Sequence, residues 1–182
     1  MTTLEIVSLA QRSAGIIAIS LMALQIFLGA TRKNVKLHMT LGILAYSFVL
    51  LHPILMIVMR RLTVNQLDPF YVFVDVCVLC DGLYETILNF GRIGFWLVTI
   101  AVVAAKFRNI NEWLKNNWRK LHPLNYLAFF IVSYHAKNIG TDSTKLWFNI
   151  YFIFLQIVVL YSAFIRVKTL GWLEKLKRNP DQ

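Results

Sequence analysis

The sequence predicts an all-α fold: a polytopic transmembrane helical bundle of about five spanning helices, with the N-terminus outside and the C-terminus inside. Three observations carry this expectation. Of 182 residues, 58% are hydrophobic and only 15% charged, with a mean hydropathy of +0.59, too few charges to coat a soluble domain of this size. Apolar runs recur at close to the ~20 residues needed to cross ~30 Å of hydrocarbon. Basic residues gather in alternate gaps between those runs, which is how insertion sorts short loops.

The first run is Ser13–Ala30, extending back toward Leu9 with Arg12 at its mouth. It lacks a basic leader and ends in Thr31-Arg32-Lys33 rather than a cleavage site, so it is expected to persist in the mature protein. The second, Leu37–Met59, carries no acidic or basic residue apart from two histidines. The third, Thr86–Ala105, is interrupted only by Arg92. The fourth, Leu121–Ala136, is short but flanked by residues able to snorkel. The fifth is Leu146–Ile165. All are expected to be helices, because a segment in lipid must satisfy its own backbone hydrogen bonds. Between the second and third lies Leu62–Glu85, apolar for a loop at Pro69-Phe70-Tyr71-Val72-Phe73 and expected to pack over the outer helix ends. The chain reads as one domain, 1–182, with a core of about 10–166 and a basic tail at 167–182. That tail, with Leu170, Trp172, Leu173 and Leu176 interleaved, reads equally as a short interfacial helix or a frayed end.

Orientation follows from the loops. Of 19 Lys and Arg, 13 fall on the side of Arg32, Lys36, Lys106 and the C-terminal tail, against 6 on the side of Arg12, Arg60 and Lys145. Acidic residues divide the opposite way, 3 against 6. The first side is therefore cytoplasmic. This sorting accounts for the net charge of +10 and the pI near 9.9, so the expected partner is membrane lipid, in a multi-pass cell-membrane protein, and no nucleic acid. Cys77 and Cys80 are too few for a disulfide framework. Their C-x-x-C spacing suits a redox pair, but no βαβ pattern adjoins it, and ordinary packing is the expectation.

All four histidines fall in two spans: His38 and His52 in the second, His122 and His135 in the fourth. Both spans run from inside to outside, and each first histidine stands two residues after a cytoplasmic lysine, Lys36 or Lys120. His38 and His122 therefore share a depth near the inner face, and His52 and His135 another about 20 Å away at ~1.5 Å per residue. Two imidazoles at one depth on facing helices are what a bis-histidine heme requires. Fourteen steps at ~100° return His52 to within about 40° of the face of His38, whereas the thirteen from His122 to His135 miss by about 140°; Pro123 marks a place where a kink would restore the facing. A lone membrane histidine is usually a packing or hydrogen-bonding residue. Zinc is disfavoured, since each depth offers two nitrogens without a nearby carboxylate or thiolate, and no Asp or Glu lies within the spans to serve a proton relay.

The run Trp118-Arg119-Lys120-Leu121-His122-Pro123-Leu124-Asn125-Tyr126-Leu127, followed by His135, resembles the ferric-reductase-like transmembrane domain, where W-x-x-L-H-x-x-x-Y-L precedes a second histidine. Phe90-Gly91-Arg92-Ile93-Gly94-Phe95-Trp96, Arg12-Ser13-Ala14-Gly15 and the spacing of His38 and His52 are similar to that family as well. The superfamily includes ferric reductases, NADPH oxidases and the heme-bearing membrane subunit of the bacterial periplasmic methionine-sulfoxide reductase system. The resemblance spans roughly residues 10–166. It implies two hemes b, His38 with His122 around an inner one and His52 with His135 around an outer one, with electrons moving outward. It departs from the larger enzymes in having no flavin- or nicotinamide-binding sequence after Arg166, so a separate donor, flavoprotein or quinol, is expected and no flavin in this chain. Where NADPH oxidases carry a further histidine one turn beyond the outer ligand, this chain has Met56.

Arg12 and Arg92, with Arg60 and Arg61, are candidates to pair with heme propionates at the outer ends, and Lys33, Lys36, Arg119 and Lys120 at the inner; ordinary headgroup contacts are the competing reading. Phe129 and Phe130 stand midway between His122 and His135, between hemes or facing lipid. Two functions follow: the heme membrane subunit of an oxidoreductase, feeding an outer acceptor such as ferric iron, oxygen or a periplasmic partner, or a heme-bearing anchor or sensor subunit that turns nothing over. A small transporter fits less well, without glycine-broken spans or intramembrane carboxylates.

Overall fold

The computed structural model describes residues 1–32, 34–77, 80 and 82–169, and among them every regular element is α-helical. Helix α1 (Thr3–Thr31) begins well before the apolar run at Ser13, because Thr2 and Glu5 close a capping box. The Glu5 N–H donates to Thr2 Oγ1 at 3.3 Å and the Thr2 N–H to Glu5 Oε2 at 2.8 Å, satisfying two of the donors that a helix start leaves open. It stops where Arg32 turns left-handed, at φ 53°, with its N–H on the Leu28 carbonyl. Helix α2 (Val35–Val64) is capped by Asn34, whose Oδ1 accepts from the Leu37 N–H at 2.9 Å, and it carries Pro53 without a break. A single turn, α3 (Pro69–Phe73), forms within the apolar loop, and α4 (Leu83–Lys106) follows.

The fourth expected span is divided. Amphipathic α5 (Glu112–Leu121) ends at His122, and α6 (Leu124–Ile139) restarts after Pro123. Pro123 has no N–H to continue the ladder, and the chain turns through short i+3 bonds from Asn125 to His122 and from Tyr126 to Pro123. Helix α7 (Leu146–Thr169) completes the fold. From Leu170 onward the basic tail lies outside the described residues, as does Lys33.

Among the described residues, four helices, α1, α2, α4 and α7, are long and apolar enough to cross a membrane. Helix α6, with 16 residues, spans only about 24 Å at ~1.5 Å per residue. Helices α1 with α2 and α4 with α6 form two closely packed antiparallel pairs, and α1 also touches α6 and α7. The core fills the space between α1, α4, α6 and α7, with Ile26, Val98, Phe129, Phe152 and Val159 within it. Ala14, Ala18, Ala101, Ala104 and Ala128 are buried along the seams, small side chains that let backbones approach where no hydrophobic force separates helix from lipid. Polar links cross between helices: Tyr46 donates to Thr99 at 3.2 Å, Tyr151 to Ser20 at 2.7 Å, and Gln156 to Ser133 at 2.8 Å. Outward, α7 exposes Ile150, Ile153, Phe154, Ile157 and Phe164, and α2 buries only Ala45. An unbroken apolar surface of that extent calls for lipid as its solvent.

Candidate functional site: two tiers of paired histidines

The two helix pairs treat their histidines alike. On α2, Nδ1 of His38 stands 3.2 Å from the Gln25 carbonyl oxygen, and Nδ1 of His52 stands 2.9 Å from that of Gln11. Gln11 and Gln25 are fourteen residues apart on α1, as His38 and His52 are on α2, so one antiparallel register serves both contacts. On the other pair, Nδ1 of His135 meets the Ile87 carbonyl at 2.9 Å and Nδ1 of His122 the Ala101 carbonyl at 3.2 Å. Ile87 and Ala101 are again fourteen apart, while His122 and His135 are thirteen apart. The missing residue is absorbed at Pro123: His122 is presented from the α5–α6 junction rather than from the wheel of α6. That break resolves the 140° mismatch that a continuous helix would impose.

Glycines make the approach possible. One turn beyond Gln11, Gln25 and Ile87 stand Gly15, Gly29 and Gly91. A Cβ on Gly15 would meet the His52 ring at 2.9 Å, one on Gly91 the His135 ring at 2.9 Å, and one on Gly29 the His38 ring at 3.3 Å. These three imidazoles therefore lie close on the neighbouring backbone, where glycine leaves room for the ring; His122, opposite Ala101, has no such glycine, with Ala105 one turn on.

The chemistry follows from the partners. A carbonyl oxygen only accepts, so a hydrogen-bonded Nδ1 carries the proton and Nε2 is left with its lone pair. This is the tautomer in which a histidine binds a metal through Nε2, held in orientation by its other nitrogen. At His52 the Gln11 side-chain amide stands 3.5 Å from Nε2, as a donor facing that lone pair. At His38 the Gln25 amide also closes on the ring; assigned with its nitrogen toward the histidine, as the surrounding donors and acceptors require, it donates to the His38 carbonyl at 2.8 Å and to Nδ1 at 2.8 Å, and its oxygen accepts from the Gly42 N–H at 3.1 Å. Nδ1 of His38 thus has two competing neighbours, and its tautomer is less firmly set than those of the other three.

Across the bundle, the rings of His38 and His122 lie with centroids 6.1 Å apart and planes at 86°. Two imidazoles bonded to one metal at about 2 Å each would have ring centroids about 6 Å apart, a separation that the inner pair matches. His52 and His135 stand at the opposite end of the same two helix pairs. Among the described residues no group of three His, Cys, Asp or Glu side chains converges to hold a metal ion.

The arginines singled out in the sequence have protein partners. Arg12 grips Asp142, from the α6–α7 loop, through Nε at 3.1 Å and Nη2 at 2.7 Å, and Lys145 joins the same carboxylate at 2.7 Å. The Asp142 carboxyl is held below the usual carboxylate range by its hydrogen bonds to Arg12 and Lys145. Arg92 is buried, donating to the Tyr71 carbonyl at 2.6 Å and to Asn89 Oδ1 at 2.8 Å, with Glu85 at 3.9 Å. Arg60 lies 3.7 Å over the Tyr71 ring. The Tyr71 hydroxyl donates to Glu85 at 2.8 Å; burial first, then that bond, push its pKa up to about 12. Lys36, Arg119 and Lys120 are exposed. Phe129 is fully buried in the core and Phe130 faces outward at 36% exposure. Cys77 and Cys80, expected to pack as thiols, form a disulfide.

Sequence reasoning found the four histidines and missed what seats them. The signal was present: Gln-x-x-x-Gly occurs twice on α1, at Gln11 and Gln25, with the fourteen-residue period of His38 and His52. Compared with family models, with curated proteins and with solved structures, the chain matches none.

Proposed function

We propose that this chain is a multi-pass cell-membrane cytochrome of b type, the heme subunit of an electron-transfer system. His38 and His122 hold an inner heme, and His52 and His135 an outer one. Bound heme supplies a one-electron iron couple at each depth, and the chain carries electrons from a cytoplasmic flavoprotein or a quinol to an outer acceptor. The single observation that carries this reading is the repeated seat: four imidazoles, each with Nδ1 on a backbone carbonyl of its partner helix. A histidine that merely packs has no need of a carbonyl on Nδ1, yet the contact recurs on two independent helix pairs, and at His52, His122 and His135 no second group competes for that nitrogen. In this reading α6 is a fifth span, short because the α5–α6 break lies at the inner interface, and the N-terminus faces outward as the basic loops require.

The chain's own part is positional. The carbonyls of Gln11, Gln25, Ile87 and Ala101 orient the ligands, the glycines admit them, and the lipid-facing helices keep water from the iron sites. The test is a pyridine hemochrome assay against protein mass, with heme supplied during expression. Two hemes per chain are expected; a ratio near zero would sink the proposal.

A further inference from the structure

Cys77 and Cys80 close a disulfide in the segment between α3 and α4, at the end of the bundle that holds His52 and His135. A bridge around so short a loop restricts the unfolded chain little, because that contribution grows with the number of residues enclosed. It also ties no element to another. Its surroundings give it a different meaning. Asn89 of α4, 7% exposed, donates from Nδ2 to the Cys77 carbonyl at 2.7 Å and points the same amide at both sulfurs, 3.0 Å from Cys77 Sγ and 3.1 Å from Cys80 Sγ. The oxygen of that amide accepts from Nη1 of Arg92 at 2.8 Å, and Arg92 is itself 5% exposed. A buried guanidinium thus polarises an amide whose N–H groups face the sulfur pair. Sulfur in a disulfide is a poor acceptor, whereas a thiolate in the same place takes charge-assisted bonds about twice as strong as neutral ones. The site is complementary to the reduced, ionised pair, the condition under which C-x-x-C cysteines react. Both cysteines are half-buried rather than sealed.

We propose that Cys77–Cys80 is a thiol–disulfide exchange centre that passes reducing equivalents to a disulfide-bearing partner on the outer side. In its reduced form one thiolate attacks a sulfur of the partner's disulfide, making a mixed disulfide and expelling the partner's first thiolate. The second cysteine then attacks its neighbour's sulfur, which re-forms Cys77–Cys80 and releases the partner as a dithiol. Two electrons and two protons pass from this pair to the partner, and nothing else is consumed. Regeneration needs two electrons, which a heme held by His52 and His135 would supply one at a time, and two protons, which water at that surface supplies. Asn89 lies on the turn of α4 that also gives His135 the Ile87 carbonyl and the Gly91 surface. The sulfurs, through Asn89, and His135, through the Ile87 carbonyl, are thus seated on one turn of α4. That electron supply, and the assignment of this end to the outer side, rest on the proposed function; the exchange chemistry does not.

The experiment uses the full chain in nanodiscs, equilibrated without oxygen in glutathione redox buffers, quenched with acid, alkylated with maleimide and weighed by mass spectrometry. Two adducts per chain, appearing progressively as reduced glutathione rises, are the expected result. A disulfide that persists at about a hundredfold excess of reduced over oxidised glutathione, and yields only on denaturation, overturns the proposal. Asn89→Leu reports on the amide itself: the pH profile for alkylation of the reduced pair moves up by about one unit, and an unmoved profile overturns its role. In a second arm a quinol replaces glutathione. Heme reduction accompanied by new thiols supports the coupling. Heme reduction without them overturns the coupling and leaves the cytochrome reading intact. Absence of heme removes that reading and the coupling together, while the glutathione arm still decides the exchange.

Discussion

Replacing Gly91 by alanine separates a ligand seat from an ordinary helix position. In a plain helix the change stabilises by about 1 kcal/mol, since glycine is the poorer helix former. Here the new Cβ would sit 2.9 Å from both Cε1 and Nδ1 of His135 and 3.3 Å from Cγ, where carbon contacts optimise at about 3.5–4.0 Å. The ring must retreat by roughly 0.6–1 Å, which stretches the 2.9 Å bond from Nδ1 to the Ile87 carbonyl past the ~3.2 Å limit of a good N–H···O contact. Losing that bond costs about 0.5–1.5 kcal/mol, and loss of an orienting partner weakens metal binding by about 10–100-fold. The clash therefore outweighs the propensity gain. Purified Gly91→Ala is expected to fall from two hemes per chain to about one by pyridine hemochrome, with the inner component of the reduced-minus-oxidised spectrum retained. Gly29→Ala, whose Cβ meets His38 at 3.3 Å, is expected to show a smaller loss from the inner component. If Gly91→Ala keeps two hemes and gains thermal stability, the imidazole does not depend on that surface and the reasoning is refuted.

Single ligand replacements sort the pairs. His52→Ala or His135→Ala should remove one spectral component and block external acceptors, while His38→Ala or His122→Ala should remove the other and stop electron entry; loss of one component from both His38→Ala and His135→Ala would refute pairing by depth. Asp142→Asn leaves Arg12 and Lys145 facing a neutral amide; the carboxylate is 8% exposed but its two cations are 35% and 51% exposed, between a surface and a buried pair, so a stability loss of about 1–2 kcal/mol is expected in thermal unfolding. Because the folded carboxyl titrates below its usual value, this bridge contributes fully above about pH 4 and is lost as pH falls through the lower folded value; a wild-type and Asp142→Asn difference that is constant down to pH 2 would contradict it. Tyr71→Phe removes the bond to Glu85 but keeps the ring under Arg60. Ultraviolet titration of the wild type should show one tyrosine ionising near pH 12 that is missing from the variant, and equal titration curves would count against that assignment.

Much of this molecule was legible in one dimension because lipid imposes simple rules. Apolar runs of span length must be helices, so the elements follow from position along the chain, as does the expectation that His38 with His122 and His52 with His135 share a depth. Helix starts were less legible: α1 begins at Thr3 rather than near Ser13, because a local capping box and not hydropathy decides where a helix can begin. What needed three dimensions was everything set by contact between helices. Which helix supplies the carbonyl for each Nδ1, which glycine lies beneath each ring, and how the chain breaks at Pro123 to turn His122 inward depend on register and rotation between helices, and a hydropathy pattern carries neither. The same holds for Arg12 and Arg92, which read from the sequence as partners of heme propionates or lipid headgroups, whereas the fold brings Asp142, Asn89 and the Tyr71 carbonyl to them. Composition and spacing determined a bundle of long apolar helices and placed its four histidines in two segments. Only tertiary packing decided that their nitrogens are oriented, since tautomer and ring position are fixed by partners far away in sequence.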